Sequence, residues 1–157
     1  MKSLIVCFSH HHNNTQKIAE VMAKVLNAQI QIPQQTNPEE VQEHNLVGFG
    51  SGIDSERNYQ ILLDFADKLP QVINKKVFIF STSAITGEEK LAKDHSTLRE
   101  KLQSKGYKIV GEFQCKGFNT NGFLKYFGGM NKGRPNAEDL KHAEEFAQDL
   151  KQKLQEK

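Results

Sequence analysis

Small polar side chains fill residues 9–15, the stretch of this chain whose composition best suits binding chemistry. They follow an apolar run at residues 2–8 and precede a segment at 16–27 with the periodicity of an amphipathic helix. The first four N–H groups of a helix lack partners within the helix, and the helix dipole places partial positive charge at that end. The pattern therefore predicts a phosphate-binding loop, with simple capping of the helix as the alternative role.

Three adjacent histidines, His10, His11 and His12, stand in the middle of this loop. Neighbouring residues in a loop rarely point towards one ion, and no acidic residues or cysteines cluster beside them, so we predict no metal site. Their backbone N–H groups and exposed rings would instead border the anion. An imidazole that titrates beside a phosphate would make the affinity depend on pH.

Two further segments place glycine and small polar residues at the ends of apolar runs. Residues 50–53 follow the run at 46–50, and residues 81–84 follow the run at 77–80. In open parallel sheets, ligands bind beyond the carboxyl ends of the strands, where the strand order reverses. We therefore expect all three segments to converge on one site, although turn formation and helix capping would also explain the second and third.

The elements that would position these loops alternate between strand and helix along the chain. Apolar or alternating runs predict five strands, at residues 2–8, 28–32, 46–50, 77–80 and 107–115. Helical stripes predict helices at 16–27 and 58–69, a third spanning Leu91 to Leu102, and a last one capped by Asn136 with Asp139 three residues on. This alternation is typical of a doubly wound, three-layer α/β/α parallel sheet.

Composition places the chain among ordinary globular proteins. Its 157 residues suit one domain, 1–157, with 37% hydrophobic and 25% charged residues. A formal net charge of +2 gives no reason to expect nucleic acid or a membrane surface as a partner. Cys7 and Cys115 lack metal-ligand spacing, and we interpret them as reduced core residues. Without a signal peptide or a membrane-spanning run, we predict a cytoplasmic protein.

The sequence lacks residues that several other classes of small α/β protein require. A receiver domain needs an aspartate at the end of the third strand, where Phe49 and Gly50 stand. A low-molecular-weight tyrosine phosphatase needs an arginine six positions after Cys7, and that position is Asn13. A P-loop and a G-x-S-x-G nucleophile elbow are absent as well.

The sequence instead resembles the flavodoxin family over nearly its whole length. Ser9 and Asn14-Thr15 match the ends of that family's phosphate loop, although Asn13 stands where glycine is usual. Residues 50–53 and 81–84 match the positions of the family's second and third flavin loops. The stretch from Phe127 to Asn136 is similar to a motif of a bacterial and archaeal short-chain subgroup.

The resemblance implies a flavodoxin-like fold with strand order 2-1-3-4-5 and bound FMN. It implies a protein that passes electrons between redox protein partners, as a monomer or weak dimer, with no catalytic residue of its own. The peptide between Gly52 and Ile53 is the implied position for a backbone change near the flavin N5. The cofactor-binding residues implied by the resemblance are Ser9, His10, His11, His12, Asn13, Asn14, Thr15, Gly50, Ser51, Gly52, Ile53, Ser81, Thr82, Ser83 and Ala84.

Two alternatives to an electron carrier stay open at this point. One is an FMN-dependent oxidoreductase acting on NAD(P)H or a quinone, with residues 116–136 as the wall of its pocket. The other is a flavin-free scaffold of the same fold, because the third loop lacks the aromatic residue that usually stacks on the flavin ring. Tyr59 lies near the second loop, and the candidates to cover the ring are Phe118, Phe123, Tyr126 and Phe127.

Overall fold

The computed structural model describes residues 1–10, 13–118 and 129–156. Its strands are β1 (Ser3–Phe8), β2 (Gln29–Gln31), β3 (Leu46–Asp54), β4 (Arg57–Asn58), β5 (Lys75–Ser83) and β6 (Tyr107–Lys116). Its α-helices are α1 (Asn14–Leu26), α2 (Gln60–Asp67), α3 (Glu88–Asp94), α4 (Ser96–Ser104) and α5 (Ala137–Gln155). Two 3-10 helices, Pro33–Gln35 and Pro38–Glu43, form the crossover between β2 and β3.

The main sheet is parallel and has the order β2-β1-β3-β5-β6. Counted without the short β4, this is the predicted order 2-1-3-4-5, and the predicted doubly wound fold is confirmed. The sixth strand, β4, was not predicted. It pairs antiparallel with the end of β3 and forms a hairpin.

Apolar side chains cover both faces of the sheet. One face packs against α1 and α5, and the other packs against α2 and α4. On the first face Gly48 and Gly50 leave room for two aromatic rings: an added Cβ would lie 2.3 Å from the Phe78 ring and 2.2 Å from the Phe80 ring. Gly50 therefore lies inside the core.

Two predicted loops are in fact strand. β3 continues to Asp54 and β5 continues to Ser83, so residues 50–53 and 81–83 are strand, and the loops expected at 50–53 and 81–84 are wrong over most of their length. Their polar side chains masked the strand pattern because they form hydrogen bonds within the protein. The helix predicted at 58–69 begins only at Gln60, since Asn58 belongs to β4.

The predicted helix through His95 is divided into α3 and α4 at that residue. The Ser96 hydroxyl donates to the carbonyl oxygen of Lys93 at 2.8 Å, which is a local contact that competes with regular helix geometry.

A β-bulge in β6 changes which of its side chains share a face. Val77 pairs with Ile109, whereas Phe78 pairs with Gly111, so Val110 is an extra residue in the ladder. Ile109 consequently packs with the α2 and α4 core, and Phe113 and Cys115 pack with the α1 and α5 core. Strict alternation along residues 107–115 would put all three side chains on one face, because an alternating pattern cannot show a bulge.

Candidate functional site

A cleft lies at the carboxyl ends of β1, β3 and β5, around the point where the strand order reverses. Segments from both sides of the sheet contribute to it. Its lining residues are His10, Asn14, Gly52, Ile53, Tyr59, Thr82, Ser83, Ala84, Gly117 and Phe118.

The first turn of α1 borders the cleft. Asn13 precedes the helix in the left-handed conformation, with φ of 54°. The Gln16 N–H donates to Ser9 Oγ at 3.1 Å, and the Lys17 N–H donates to the Asn13 carbonyl oxygen. Within the described residues, this leaves the N–H groups of Asn14 and Thr15 as the free donors of the helix end. They are suited to an anion.

Asn14 supplies a further polar atom without a partner. Its side chain is 8% exposed, and its Nδ2 donates to the carbonyl oxygen of Phe118 at 2.8 Å. Its Oδ1 is buried and accepts no hydrogen bond from the described part of the chain. Since a buried acceptor without a donor is costly, a ligand with an O–H or N–H group would satisfy it.

Hydrogen bonds hold the walls of the cleft together. The hydroxyls of Thr15 and Thr82 lie 2.9 Å apart and are buried, which ties α1 to the end of β5. The Gly117 N–H donates to the Ser83 carbonyl oxygen at 3.1 Å. A Cβ on Gly117 would lie 2.7 Å from Asn14 Nδ2, so this close approach requires glycine.

The second segment forms the hairpin of β3 and β4 instead of an open loop. Ser51 is buried, and its Oγ accepts from Asn58 Nδ2 at 3.1 Å and from the Tyr59 N–H at 3.0 Å. The same hydroxyl donates to the Gly52 carbonyl oxygen at 2.8 Å. Ser51 therefore closes the base of the hairpin, whereas Gly52 and Ile53 face the cleft.

Tyr59 supplies an aromatic wall that was not in the predicted set. A Cβ on Gly52 would lie 2.7 Å from both Cζ and Oη of Tyr59, so the ring packs directly on that backbone. The ring also meets Phe8 and His10 edge-on, at centroid distances of 5.9 Å and 6.5 Å. Burial, together with the nearby Asp54 carboxylate, raises the pKa of Tyr59, which keeps the phenol protonated.

The third segment divides between two roles. Thr82, Ser83 and Ala84 line the cleft. Ser81 points to the opposite face, where it is fully buried and hydrogen-bonded to His95. Alternation along β5 explains why Ser81 and Thr82 face opposite sides of the sheet. Ser83 is the last residue of the strand and lines the cleft from the strand end.

The segment before α5 braces the far wall. Asn131, with φ of 60°, donates from Nδ2 to the Ala84 carbonyl oxygen at 2.7 Å and to that of Gly117 at 3.4 Å. The Phe118 N–H donates to the Arg134 carbonyl oxygen at 2.9 Å. Arg134 in turn forms a bidentate ion pair with Asp139, at 2.5 and 2.6 Å.

Three residues of this wall, Gly117, Phe118 and Asn131, were not in the predicted cofactor-binding set, although they belong to the segment 116–136 that was considered as a pocket wall. The available signal was their place in a stretch rich in glycine, asparagine and aromatic residues directly after a strand.

Of the predicted set, His11 and His12 lie outside the described residues. Gly50, Ser51 and Ser81 lie in the sheet and do not line the cleft. The remaining predicted residues border the cleft or the adjoining start of α1.

A helix start whose N–H groups have no partner within the described part of the chain, beside a slot walled by aromatic residues, is suited to a phosphorylated cofactor with a planar ring. Residues 5–152 match the family model described as a flavodoxin domain, and the chain belongs to the flavodoxin family. The resemblance inferred from the loops is thereby confirmed.

Known relatives agree with this assignment. An uncharacterized protein of Methanocaldococcus jannaschii is 45% identical over 150 residues, covering 96% of this chain and 98% of the relative. Oxidised flavodoxin 2 from Bacillus cereus superposes with a TM-score of 0.72 at 20% identity, covering 98% of this chain and 99% of that one. A flavodoxin from the domain Archaea gives 0.66 at 18% identity, with 98% of both chains covered. At these identities the two structures support the fold alone.

The described residues fit a flavin at this cleft. Among the described residues, Asn14 Oδ1 has no donor and the N–H groups of Asn14 and Thr15 have no acceptor. Glycine lets the backbone approach closely at positions 52 and 117. Separately, the part of the chain that the structure describes contains no helix long and apolar enough to cross a membrane.

Proposed function

We propose that this protein is a cytoplasmic electron carrier that binds FMN in the cleft and exchanges electrons with redox protein partners, as a monomer or weak dimer. The observation that carries the proposal is the position of the α1 N-terminus, whose Asn14 and Thr15 N–H groups have no partner among the described residues, beside an aromatic-walled cleft at the switch point of the sheet. FMN supplies the redox chemistry when bound, and the protein supplies binding, orientation and electrostatics.

Each wall has a distinct task in this proposal. The N–H groups of Asn14 and Thr15, with the hydroxyl hydrogen of Ser9, bind the phosphate. Thr82 and Ser83 present polar groups at the ring. Tyr59 and Phe118, on opposite segments of the cleft, supply aromatic cover in place of the residue missing from the third segment.

An affinity comparison tests the phosphate site directly. Apoprotein would be titrated into FMN and, in parallel, into riboflavin, with flavin fluorescence as the readout. Strong quenching of FMN with a weak response to riboflavin is expected. An equal response to both would move the site away from residues 9–15, and no response to either would leave the scaffold hypothesis.

Two serine substitutions, one at the phosphate site and one control away from it, extend that titration. Ser9→Ala removes the hydroxyl beside the helix start and is expected to weaken FMN binding more than riboflavin binding. Ser104→Ala removes a hydroxyl that donates to the Lys101 carbonyl oxygen on an exposed part of α4, so it should change neither affinity. Equal effects of Ser9→Ala on both ligands would contradict phosphate binding there.

A second groove favours one alternative function, an FMN-dependent oxidoreductase. This groove adjoins the cleft across the Tyr59 ring and is lined by Phe8, His10, Ile53, Asp54, Tyr59, Gln60 and Ile61. Its aromatic and aliphatic walls suit a planar ring such as a quinone. Consumption of NAD(P)H by the FMN-loaded protein alone, with a quinone as acceptor, would favour the enzyme; a carrier should show almost none.

A further inference from the structure

The face of the sheet below the cleft holds a buried polar cluster where apolar packing would be expected. It lies between β5, β6, α3 and α4, and we call it the His95 network. Its members are Ser81, Lys90, Asp94, His95, Arg99, Glu112 and Gln114.

The centre of the network is a chain of three side chains. Ser81 Oγ lies 2.7 Å from His95 Nε2, and His95 Nδ1 lies 2.9 Å from Glu112 Oε1. Ser81 and His95 are both fully buried. Gln114 Nε2 donates to Ser81 Oγ at 3.1 Å, so the serine hydroxyl is free to donate to Nε2. In that arrangement the hydrogen of His95 is on Nδ1, which donates a hydrogen bond to Glu112 Oε1.

Charged groups hold the outer end of this chain. Arg99 donates to Glu112 from Nε at 3.0 Å and from Nη2 at 2.6 Å. Burial alone would raise the pKa of Glu112, but the hydrogen bonds from His95 and Arg99 hold it at about 2. Glu112 is therefore ionised at neutral pH and fixes the orientation of the imidazole.

A second branch uses the neighbouring carboxylate. Gln114 Nε2 also donates to Asp94 Oδ2 at 2.9 Å, and Asp94 is fully buried and paired with Lys90 at 2.5 and 2.6 Å.

The surroundings of His95 combine polar and charged groups. They are Glu112 and Gln114 from β6, Ser81 from β5, and the charges of Asp94, Lys90 and Arg99 from the two helices. The network therefore draws on all four elements around the imidazole, β5, β6, α3 and α4.

Such a network does not stabilise a fold better than apolar packing does. Replacing buried ion pairs with well-packed apolar residues is often neutral or stabilising. A buried, well-connected network does fix one geometry, because each misplaced group would lose a hydrogen bond. The question is therefore which geometry this one fixes.

The position of Ser81 answers that question. It immediately precedes Thr82, which points to the other face of β5, lines the cleft and meets the Thr15 hydroxyl. Because successive side chains of a strand alternate, holding Ser81 on one face sets the direction of Thr82 on the other. Gln114 and Ser81 are also register partners in the sheet, so the network fixes β5 against β6 at the same level.

We propose that His95 and Ser81 are positioning residues that set the cofactor-facing end of β5, and through it the affinity for the flavin ring. The inference rests on the proposed FMN-binding function. It assigns to the α3 and α4 side of the sheet a role in a site that lies on the opposite side of the strand.

The order serine, imidazole, carboxylate also occurs in hydrolases, where it activates the serine as a nucleophile. Ser81 is fully buried, so a substrate cannot reach it in this conformation. Covalent labelling of the native protein at Ser81 by a fluorophosphonate probe would therefore contradict the positioning role and favour a nucleophilic one.

Two variants test the proposal, Ser81→Ala and His95→Gln. Each removes a hydrogen bond below the ring and substitutes no residue of the phosphate loop. We expect the affinities for FMN and riboflavin to fall in parallel by about tenfold, the scale of one lost buried hydrogen bond. The midpoint potential of the bound flavin should shift as well, which a purely structural role far from the ring would not cause.

His44→Asn is the matched control. His44 is also buried and bonded, through Nδ1 at 3.0 Å to the Glu40 carbonyl oxygen, but it lies at the start of β3, at the other end of the sheet. It should lower the unfolding midpoint and leave both flavin affinities within about twofold of wild type, a difference well below one hydrogen bond. If His95→Gln does not fold, Ser81→Ala, which deletes only a hydroxyl, still decides the question.

The proposal is overturned if both variants, or Ser81→Ala alone when His95→Gln does not fold, retain wild-type affinity and potential, or if His44→Asn weakens flavin binding equally. These results differ from a failure of the proposed function, in which the wild-type protein itself binds neither flavin. In that case the inference falls with the function on which it rests.

Discussion

At the scale of single residues, the cleft depends on close approaches that only glycine permits. The clearest case is Gly52, whose missing side chain allows the Tyr59 ring to lie on the backbone. The contact joins the second segment to the aromatic wall. It therefore links a local steric property to the shape of the whole site.

Gly52→Ala is expected to displace the Tyr59 ring, because the new Cβ would lie 2.7 Å from Cζ and Oη. Overpacking of this kind costs about 1–3 kcal/mol of unfolding free energy, and flavin affinity should fall with it. Chemical denaturation and flavin titration would measure both. In a Tyr59→Leu background the same substitution should cost much less, and an undiminished cost there would show that the ring is not the cause.

A substitution at Asn131 tests the hydrogen bonds that join the segment before α5 to the cleft residues Ala84 and Gly117. Asn131→Gly retains the left-handed conformation but removes the amide that donates to the Ala84 and Gly117 carbonyl oxygens. We expect a loss of about 1 kcal/mol in stability and weaker flavin binding. The measurement is denaturation with and without FMN.

Asn74→Gly serves as the control for that substitution. Asn74 has a φ of 54° and is exposed before β5, at the end of the sheet away from the cleft. Substituting glycine there changes the conformational preference alone. Equal effects of the two substitutions would show that the Asn131 amide has no specific role.

At the scale of elements, the hairpin of β3 and β4 carries two non-glycine residues in an unfavourable conformation. Ser55 and Glu56 have φ values of 53° and 61°, as a two-residue type I′ turn requires. Asn-Gly is the preferred pair for this turn. The only ion pair described at its tip joins Glu56 to Lys93 of α3 at 2.7 Å, on the surface.

Replacing both residues, Ser55→Asn with Glu56→Gly, should stabilise the fold by about 1 kcal/mol because the left-handed conformation is no longer strained. Lys93→Gln separates the loss of the ion pair from the change in the turn, and we expect only a small effect because the pair is exposed. Denaturation midpoints measure both. A lower midpoint for the Asn-Gly protein would show that the turn is not the source of strain.

At the scale of the whole molecule, the sequence was sufficient to predict the architecture. It was not sufficient to predict which polar residues line the cleft and which are buried in hydrogen bonds within the protein. Apolar runs and helical stripes respond to burial, which is a property of the whole sheet, so the alternation of strands and helices and the three layers were predicted correctly from them. The strand order came from the resemblance to the flavodoxin family. Ser51 and Ser81 are polar yet buried, since their partners Asn58 and His95 come from other elements. Such pairings, like the bulge at Val110, are set by tertiary contacts that no local pattern contains.

The pH dependence of the folding free energy follows from the same network. The pKa of Glu112 is lowered from 4.5 to about 2 in the folded protein, because the hydrogen bonds from His95 and Arg99 outweigh the effect of burial. A depressed carboxyl pKa contributes stability that is fully present above the unfolded value and is lost as the pH falls through the folded one. The pKa of Asp139, beside Arg134 and the start of α5, is lowered as well.

Unfolding free energy should therefore decline between about pH 4.5 and pH 2. The shift of the Glu112 pKa corresponds to about 3 kcal/mol, and solvent screening of this partly exposed ion pair reduces the expected loss to the order of 2 kcal/mol. Glu112→Gln should be less stable than wild type at pH 7 and should show a flatter decline in that range, because the titrating group is gone. Glu100→Gln, on the exposed side of α4, should retain the wild-type profile. Denaturant unfolding at pH 7 and pH 3 decides the matter: parallel profiles for wild type and Glu112→Gln would show that the ion pairs of Glu112 contribute nothing to acid sensitivity.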